Sequence, residues 1–321
     1  MLFITILFLL LTGCILTNSQ LSLHYASLGL DLWFRKMIPS LLPFMILSGI
    51  MVRLRLTEKL AMIAYPAVKP IYKVRKNVCY CMLLGFLCGF PMGAKVTGEL
   101  LERKQLTLRE AEYLLAFCNN IGPVYFCSFA LPLLGRQLTV PYLFGMYGIP
   151  LLYGLVLRKT AYRDIGTARL TKTTSHSLHT AELRSCEQHP HRESPFTEKL
   201  LDAVDSSVRS SVQSILTLGG YMILFNLLNL LPHVLSGHSL PVLAPLLEIT
   251  GGLGMLGDAL PLYSLLALSF CGFSCIAQTY SCIRDTEISL SGYIFHKVIL
   301  TLLNAGFYLG WFLLSPSSFL R

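Results

Sequence analysis

Apolar residues along this chain come in long blocks rather than in alternation with polar ones. Residues 2–16, 33–52, 140–157, 212–231, 261–283 and 293–314 are near-continuous hydrophobic runs. A hydrocarbon core about 30 Å thick needs roughly 20 apolar residues per helix, so these runs predict membrane-spanning helices, the first of them somewhat short. One apolar stretch is interrupted. Residues 84–120, LGFLCGFPMGAKVTGELLERKQLTLREAEYLLAFCNN, place Gly89, Pro91, Gly93, Lys95, Asn119 and Asn120 inside membrane-type sequence. Proline has no N–H to donate and glycine accepts turn conformations, so the pattern predicts a broken helix with freed peptide groups. Such backbone is tolerated at membrane depth only against protein or a polar cavity.

Composition agrees with the pattern. The chain has 321 residues, 54% hydrophobic and 13% charged, too apolar for a soluble domain of this length. Its net charge of +9 suggests nucleic acid at first sight. No nucleic-acid motif accompanies the basic residues, however. They fall in clusters between the apolar runs (Arg53, Arg55, Lys59; Lys69, Lys73, Arg75, Lys76; Arg158, Lys159, Arg163, Arg169, Lys172), as the excess of Lys and Arg in cytoplasmic loops demands. The expected partners are therefore the lipid bilayer and a small polar solute, with a homo-oligomer or other membrane proteins beside them and no nucleic acid. Ten cysteines sit mostly in apolar runs, where a thiol acts as a small hydrophobe, and imply neither a disulfide framework nor a metal site. Leu11-Thr12-Gly13-Cys14 resembles a lipoprotein cleavage box, but the preceding MLFITILF lacks a positive n-region, which favours an uncleaved first helix.

The one long hydrophilic stretch, residues 158–199, reads as a cytoplasmic linker; its histidines (His176, His179, His189, His191) are irregularly spaced, as in a solvated tether. The two halves it separates can be overlaid. DLWFRKMIPSLLPFMILSGI from Asp31 matches VRSSVQSILTLGGYMILFNL from Val208 in outline, and Gly272-Phe273 stands where Gly89-Phe90 stood. If the linker is cytoplasmic, the run 140–157 ends inside, residues 101–112 are inside, and 78–100 leaves and returns on one side. The run 33–52 then points inward and 212–231 outward. This predicts an all-α integral membrane protein of two inverted-topology repeats with interrupted or re-entrant helices, an architecture common among secondary transporters. The expected organisation is an N-terminal transmembrane helix (1–25), a first repeat (26–137), a linking helix (138–158), a hydrophilic linker (159–199) and a second repeat (200–321).

Lys95 is the first candidate for chemistry. An ammonium at the centre of a membrane helix costs about 2.5 to 3.5 kcal/mol on insertion scales, so it is expected to contact an anion or carbonyl, to pair with Glu99, or to snorkel to the interface. Asn119 and Asn120, followed by Gly122-Pro123, offer donors and acceptors to a neutral ligand or to a neighbouring helix. Thr107 and Glu110 have the spacing of a capping box. In the second half Ser274 stands for Pro91, Gln278 for Lys95 and Asn304 roughly for Asn119, so the candidate ligand-binding set is Gly89, Pro91, Gly93, Lys95, Asn119, Asn120, Gly272, Ser274, Gln278 and Asn304. Glu248 and Asp258 flank the run TGGLGMLGD and read either as a cation or proton site or as a solvated outer loop. GFPMGAKVT lacks the spacing of a phosphate loop, and no HExxH, GxSxG or paired intramembrane aspartates appear. No enzyme activity, metal or cofactor is expected.

With RKMIPSLLPFMILSGIM from Arg35, GFLCGFPMGAKVTGELLERKQLTLREAEYLLAFCNNIGP from Gly85 and CGFSCIAQ at Cys271, the chain resembles the YlbJ-like sporulation integral membrane proteins, within the group that carries the nucleoside-recognition or Gate domain. The resemblance implies a multi-pass protein of endospore-forming bacteria linked to spore cortex formation, with Gate domains similar to those of concentrative nucleoside transporters and ferrous-iron permeases. It carries over no catalytic residues. Its motif falls on Gly89, Phe90, Pro91, Gly93, Ala94 and Lys95, and the second copy departs from it by lacking the proline and the lysine. The function expected is transport of a small polar solute, nucleosides among them. The alternative is a non-transporting membrane scaffold that recruits partners through the linker.

Overall fold

The computed structural model describes residues 2–54, 56–165 and 196–316, and among these every regular element is a helix. In chain order they are α1 (Leu2–Thr17), α2 (Ser19–Arg53), α3 (Leu56–Tyr72), α4 (Lys76–Cys88), α5 (Met92–Glu102), α6 (Leu108–Cys118), α7 (123–134), α8 (Arg136–Lys159), α9 (Phe196–Leu227), α10 (Leu230–Ser236), α11 (Ala244–Leu247), α12 (Ile249–Leu256), α13 (Pro261–Phe270), α14 (Gly272–Ile283) and α15 (Leu290–Leu314). Six segments are long and apolar enough to cross a bilayer: Ser19–Arg53, Leu108–Leu134, Arg136–Lys159, Thr197–Ser236, Pro261–Ile283 and Leu290–Leu314. Their outward side chains are large and apolar, with Phe8, Leu152, Leu302 and Leu313 all more than 60% exposed. Such a surface is stable against lipid tails and unstable in water.

Two segments differ from a plain row of spans. The first run forms α1, which is too short to join the six. Residues 121–134 are the second half of the segment Leu108–Leu134, because α6 leads directly into them through a break at residues 119–122. The helix α6 starts as its spacing predicts. Thr107 Oγ1 accepts from Glu110 N and the Glu110 carboxylate accepts from Thr107 N, while Arg75 pairs with Glu110 from the side. Most of the hydrophilic linker, with its four histidines, lies outside the described residues.

The segments matched between the halves lie side by side and run in opposite directions. Along α2 and α9, Gly29 faces Ile223, Trp33 donates from Nε1 to Ile215 O at 2.8 Å, Gly49 faces Ser207 and Arg53 donates to Ser206 O. A Cβ on Gly29 would sit 2.9 Å from the Ile223 backbone, so this glycine sets the closeness of the pair. Around it stand two helix-break-helix units, α4/α5 and α13/α14. Gly98 of α5 meets Cys282 of α14, and Ala94, Ala111, Leu115, Ile276, Ile283 and Tyr293 form one buried cluster that joins the two units to α6 and α15.

Candidate functional site

At the first unit, α4 stops at Gly89, whose φ of +67° is a conformation that glycine alone adopts freely. The broken helix here crosses the broken segment 119–122. Phe90 N–H donates to Asn120 O at 2.8 Å, and a Cβ on Gly89 would overlap the Gly122 backbone. Gly85 and Gly93 extend the contact, since a Cβ on either would press on Cys118 O at 2.5 and 3.2 Å. The glycines of the motif therefore serve an approach of backbone to backbone, and the peptide groups freed by one break are partly satisfied by the other.

Behind this crossing sits a residue that the sequence reading passed over. Lys297 of α15 is only 2% exposed, and its Nζ donates to Asn120 Oδ1 at 3.0 Å and to Asn119 O at 3.4 Å. It places an ammonium at the carboxyl end of α6, where the helix dipole favours positive charge. Asn119 Nδ2 turns the other way, to Thr279 Oγ1 at 3.0 Å and Tyr293 OH at 3.4 Å. Both asparagines thus tie helices together. A lysine seven residues into an apolar span was the signal available for Lys297.

The second crossing has different chemistry. Cys271 and Gly272, with φ of +71° and +78°, break the helix between α13 and α14 and lie against the short break between α11 and α12. A Cβ on Gly272 would stand 3.0 Å from Pro245 O and 3.4 Å from Ile249 N. At that break Glu248 caps α12. Its carboxylate accepts from Thr250 N at 3.0 Å, Gly251 N at 2.6 Å and Asn226 Nδ2 at 3.1 Å, and the residue is 2% exposed. The glycine-rich run is therefore no solvated loop at its start: it is the mostly buried helix α12, and Asp258 at its far end is exposed.

The interrupted elements meet at one small cavity of about 50 Å³. Its wall takes Cys88 and Phe90 from the first break, Ile121, Gly122 and Tyr125 from the second, and Glu248, Ile249 and Thr250 from the third. Cys275 and Gln278 come from α14, Leu218 and Met222 from α9, and Met37 from a π-helical turn in α2. The Gln278 side-chain oxygen is buried and has no hydrogen-bond partner. One turn away is a second, much larger space of about 1170 Å³, a vestibule between α2, α5 and α9. Ser214, Met45 and Met92 line the vestibule, while Leu218, Leu41 and Phe90, two to four residues along the same segments, line the inner cavity. The two spaces are thus stacked, about one helical turn (roughly 5 Å) apart.

Lys95 belongs to the vestibule. Its Nζ donates to Ser210 Oγ at 2.7 Å and Ser214 Oγ at 3.1 Å, so its partners are serines of α9 rather than Glu99. Arg53, Lys76, Arg103 and Lys199 share the wall with it, against the acidic Glu99 and Asp202. Of the ten sequence candidates, Lys95 lines the vestibule and Gln278 the inner cavity. Gly89, Pro91, Gly93 and Gly272 shape the breaks, and Asn119 and Asn120 brace them. Ser274 is buried without a partner for its hydroxyl, and Asn304 donates to Ser269 Oγ away from both spaces. Among the described residues no group of three or more His, Cys, Asp or Glu is placed to hold a metal, and all the cysteines described are free thiols.

Comparison with characterised proteins agrees with the membrane architecture. The chain is 26% identical over 332 residues to the sporulation integral membrane protein YlbJ of Bacillus subtilis (strain 168), an alignment covering 91% of this chain and 78% of the relative. No family model matches the chain. No solved structure matches it either. With six apolar helices of spanning length and this similarity to an integral membrane protein, the chain is a multi-pass integral membrane protein.

Proposed function

We propose that this protein moves a small polar solute across the membrane of a spore-forming bacterium, through two Gate-type repeats of inverted topology, and serves sporulation, cortex formation included. One observation carries the reading: three of the helix breaks, at Phe90, at Ile121-Gly122 and at Glu248, line the same cavity, and α14, which follows the fourth, adds Cys275 and Gln278 to its wall. Broken helices at a repeat interface are where transporters bind their cargo, because only there does the backbone have free peptide groups to offer. The antiparallel course of the sequence-matched α2 and α9 supports the inversion. The similarity to a sporulation integral membrane protein supports the sporulation role.

The vestibule narrows the kind of solute. Arg53, Lys76, Lys95, Arg103 and Lys199 outnumber Glu99 and Asp202 on its wall, and the serines of α9 add hydroxyls, which favours polar solutes with negative charge or many acceptors. Such a cargo enters the basic vestibule, passes Lys95 and reaches the inner cavity when the two helix-break-helix units part. At about 50 Å³ that cavity is smaller than an organic solute, which is why the units must part. Uptake into proteoliposomes, screened across nucleosides, metal ions and cell-wall precursors, tests the proposal. Saturable flux that Lys95→Gln abolishes is the expected outcome; uniformly negative flux from well-folded protein overturns it.

A further inference from the structure

Glu248 is a buried carboxylate with no cationic partner among the described residues, and no lysine or arginine lines the cavity it faces. Its three N–H donors, from Thr250, Gly251 and Asn226, suit the ionised form, in which both oxygens accept. A negative charge so deeply buried calls for a compensating positive one. Across the same small space Gln278, 5% exposed, leaves its Oε1 without a donor. Two buried acceptors on the wall of one small cavity that no lysine or arginine lines match an electropositive occupant.

We propose that the inner cavity binds a monovalent cation of sodium size between the Glu248 carboxylate and Gln278 Oε1. Thr250 Oγ1, which accepts from Tyr125 OH at 3.3 Å, supplies a further oxygen on the same wall. The charge count decides for a monovalent ion, since one carboxylate neutralises one positive charge and divalent sites gather several carboxylates. The volume of about 50 Å³ leaves room for a small ion stripped of most of its water. Resting on the transport reading, this ion would be the one that travels with the solute. Gln278 then contributes to the cycle from the second repeat without copying the lysine at its matched position in the first.

The test is a binding measurement that needs no flux. The full chain in nanodiscs is titrated with sodium chloride, with choline chloride holding ionic strength and pH fixed, and the melting temperature is followed. The expected result is a saturable rise for the native chain that Glu248→Gln abolishes. Gln278→Leu should shift the midpoint by about tenfold or more. Should Glu248→Gln not fold, Gln278→Leu carries the test alone. A sodium response unchanged by both substitutions overturns the proposal, as does a native chain that responds to pH and not to sodium. Sodium binding in protein that transports nothing would uphold this site and remove the transport reading.

Discussion

The two crossings of broken helices solve one packing problem and are furnished in opposite ways. At the first, backbone meets backbone across Gly89 and Gly122, and the charge, Lys297, stands behind the contact and faces the asparagines. At the second, the charge stands in front, with Glu248 facing the inner cavity. Lys95 and Gln278 occupy matched places in the sequence yet open onto different spaces. Helix phase accounts for this. Lys95 is the fourth residue of Met92–Glu102 and Gln278 the seventh of Gly272–Ile283, because the first break spans residues 89–91 while the second turns at Cys271 and Gly272. Three residues of offset move a side chain nearly one turn along its helix. A sequence match between repeats therefore fixes the element and not the cavity that a side chain reaches.

The largest expected effect is at the tighter crossing. Gly89→Val adds a side chain where even a Cβ overlaps Gly122 and forces a β-branched residue to positive φ, so stability should fall by about 3 kcal/mol or more, read as loss of the monodisperse peak in detergent chromatography. Gly272→Ala should cost only about 1 to 2 kcal/mol, since its new Cβ meets Pro245 O at 3.0 Å and the main penalty is the backbone conformation. Equal losses at the two glycines would break the comparison.

Lys297→Met comes next. It leaves Asn120 Oδ1 and Asn119 O without their donor at a cost of about 1 to 3 kcal/mol, measurable as a lower melting temperature, and Lys297→Arg should restore only part of it. Glu248→Ala removes the cap of α12 and should cost about 1 to 2 kcal/mol by the same readout. Smallest is Lys95→Gln, expected to change stability by less than about 1 kcal/mol, because a half-buried amide can still donate to Ser210 or Ser214. Its effect should appear in transport, and a flux equal to that of the native chain would remove Lys95 from the path.

Much of this was legible in the residues because membranes read hydrophobicity directly. The spans 261–283 and 290–314, the break at Gly89 and the capped start of α6 at Thr107 all follow from local rules. Lys297 escaped, and Glu248 was left between a cation or proton site and a solvated loop, for a common reason. Each is a lone charge whose meaning depends on what a distant segment places beside it, Asn120 across more than 170 residues in one case and the breaks around Gly122 and Phe90 in the other. Local pattern cannot tell a buried glutamate from a loop glutamate when both follow an apolar run and precede glycines. Asn119 and Asn120 were found as unusual, but their role as braces needed Thr279, Tyr293 and Lys297 in view.

The central claim is that the cavity shared by the broken helices lies on a path through the membrane. Cysteine accessibility at Gln278 tests it without knowing the solute. In a background with the native cysteines replaced, Gln278→Cys is exposed to a membrane-impermeant thiol reagent applied to each face of sealed vesicles in turn, with Lys95→Cys as the vestibule control. The account predicts labelling of Gln278→Cys from both faces and of Lys95→Cys mainly from the vestibule side. Strong labelling at Lys95→Cys with none at Gln278→Cys from either face would contradict it.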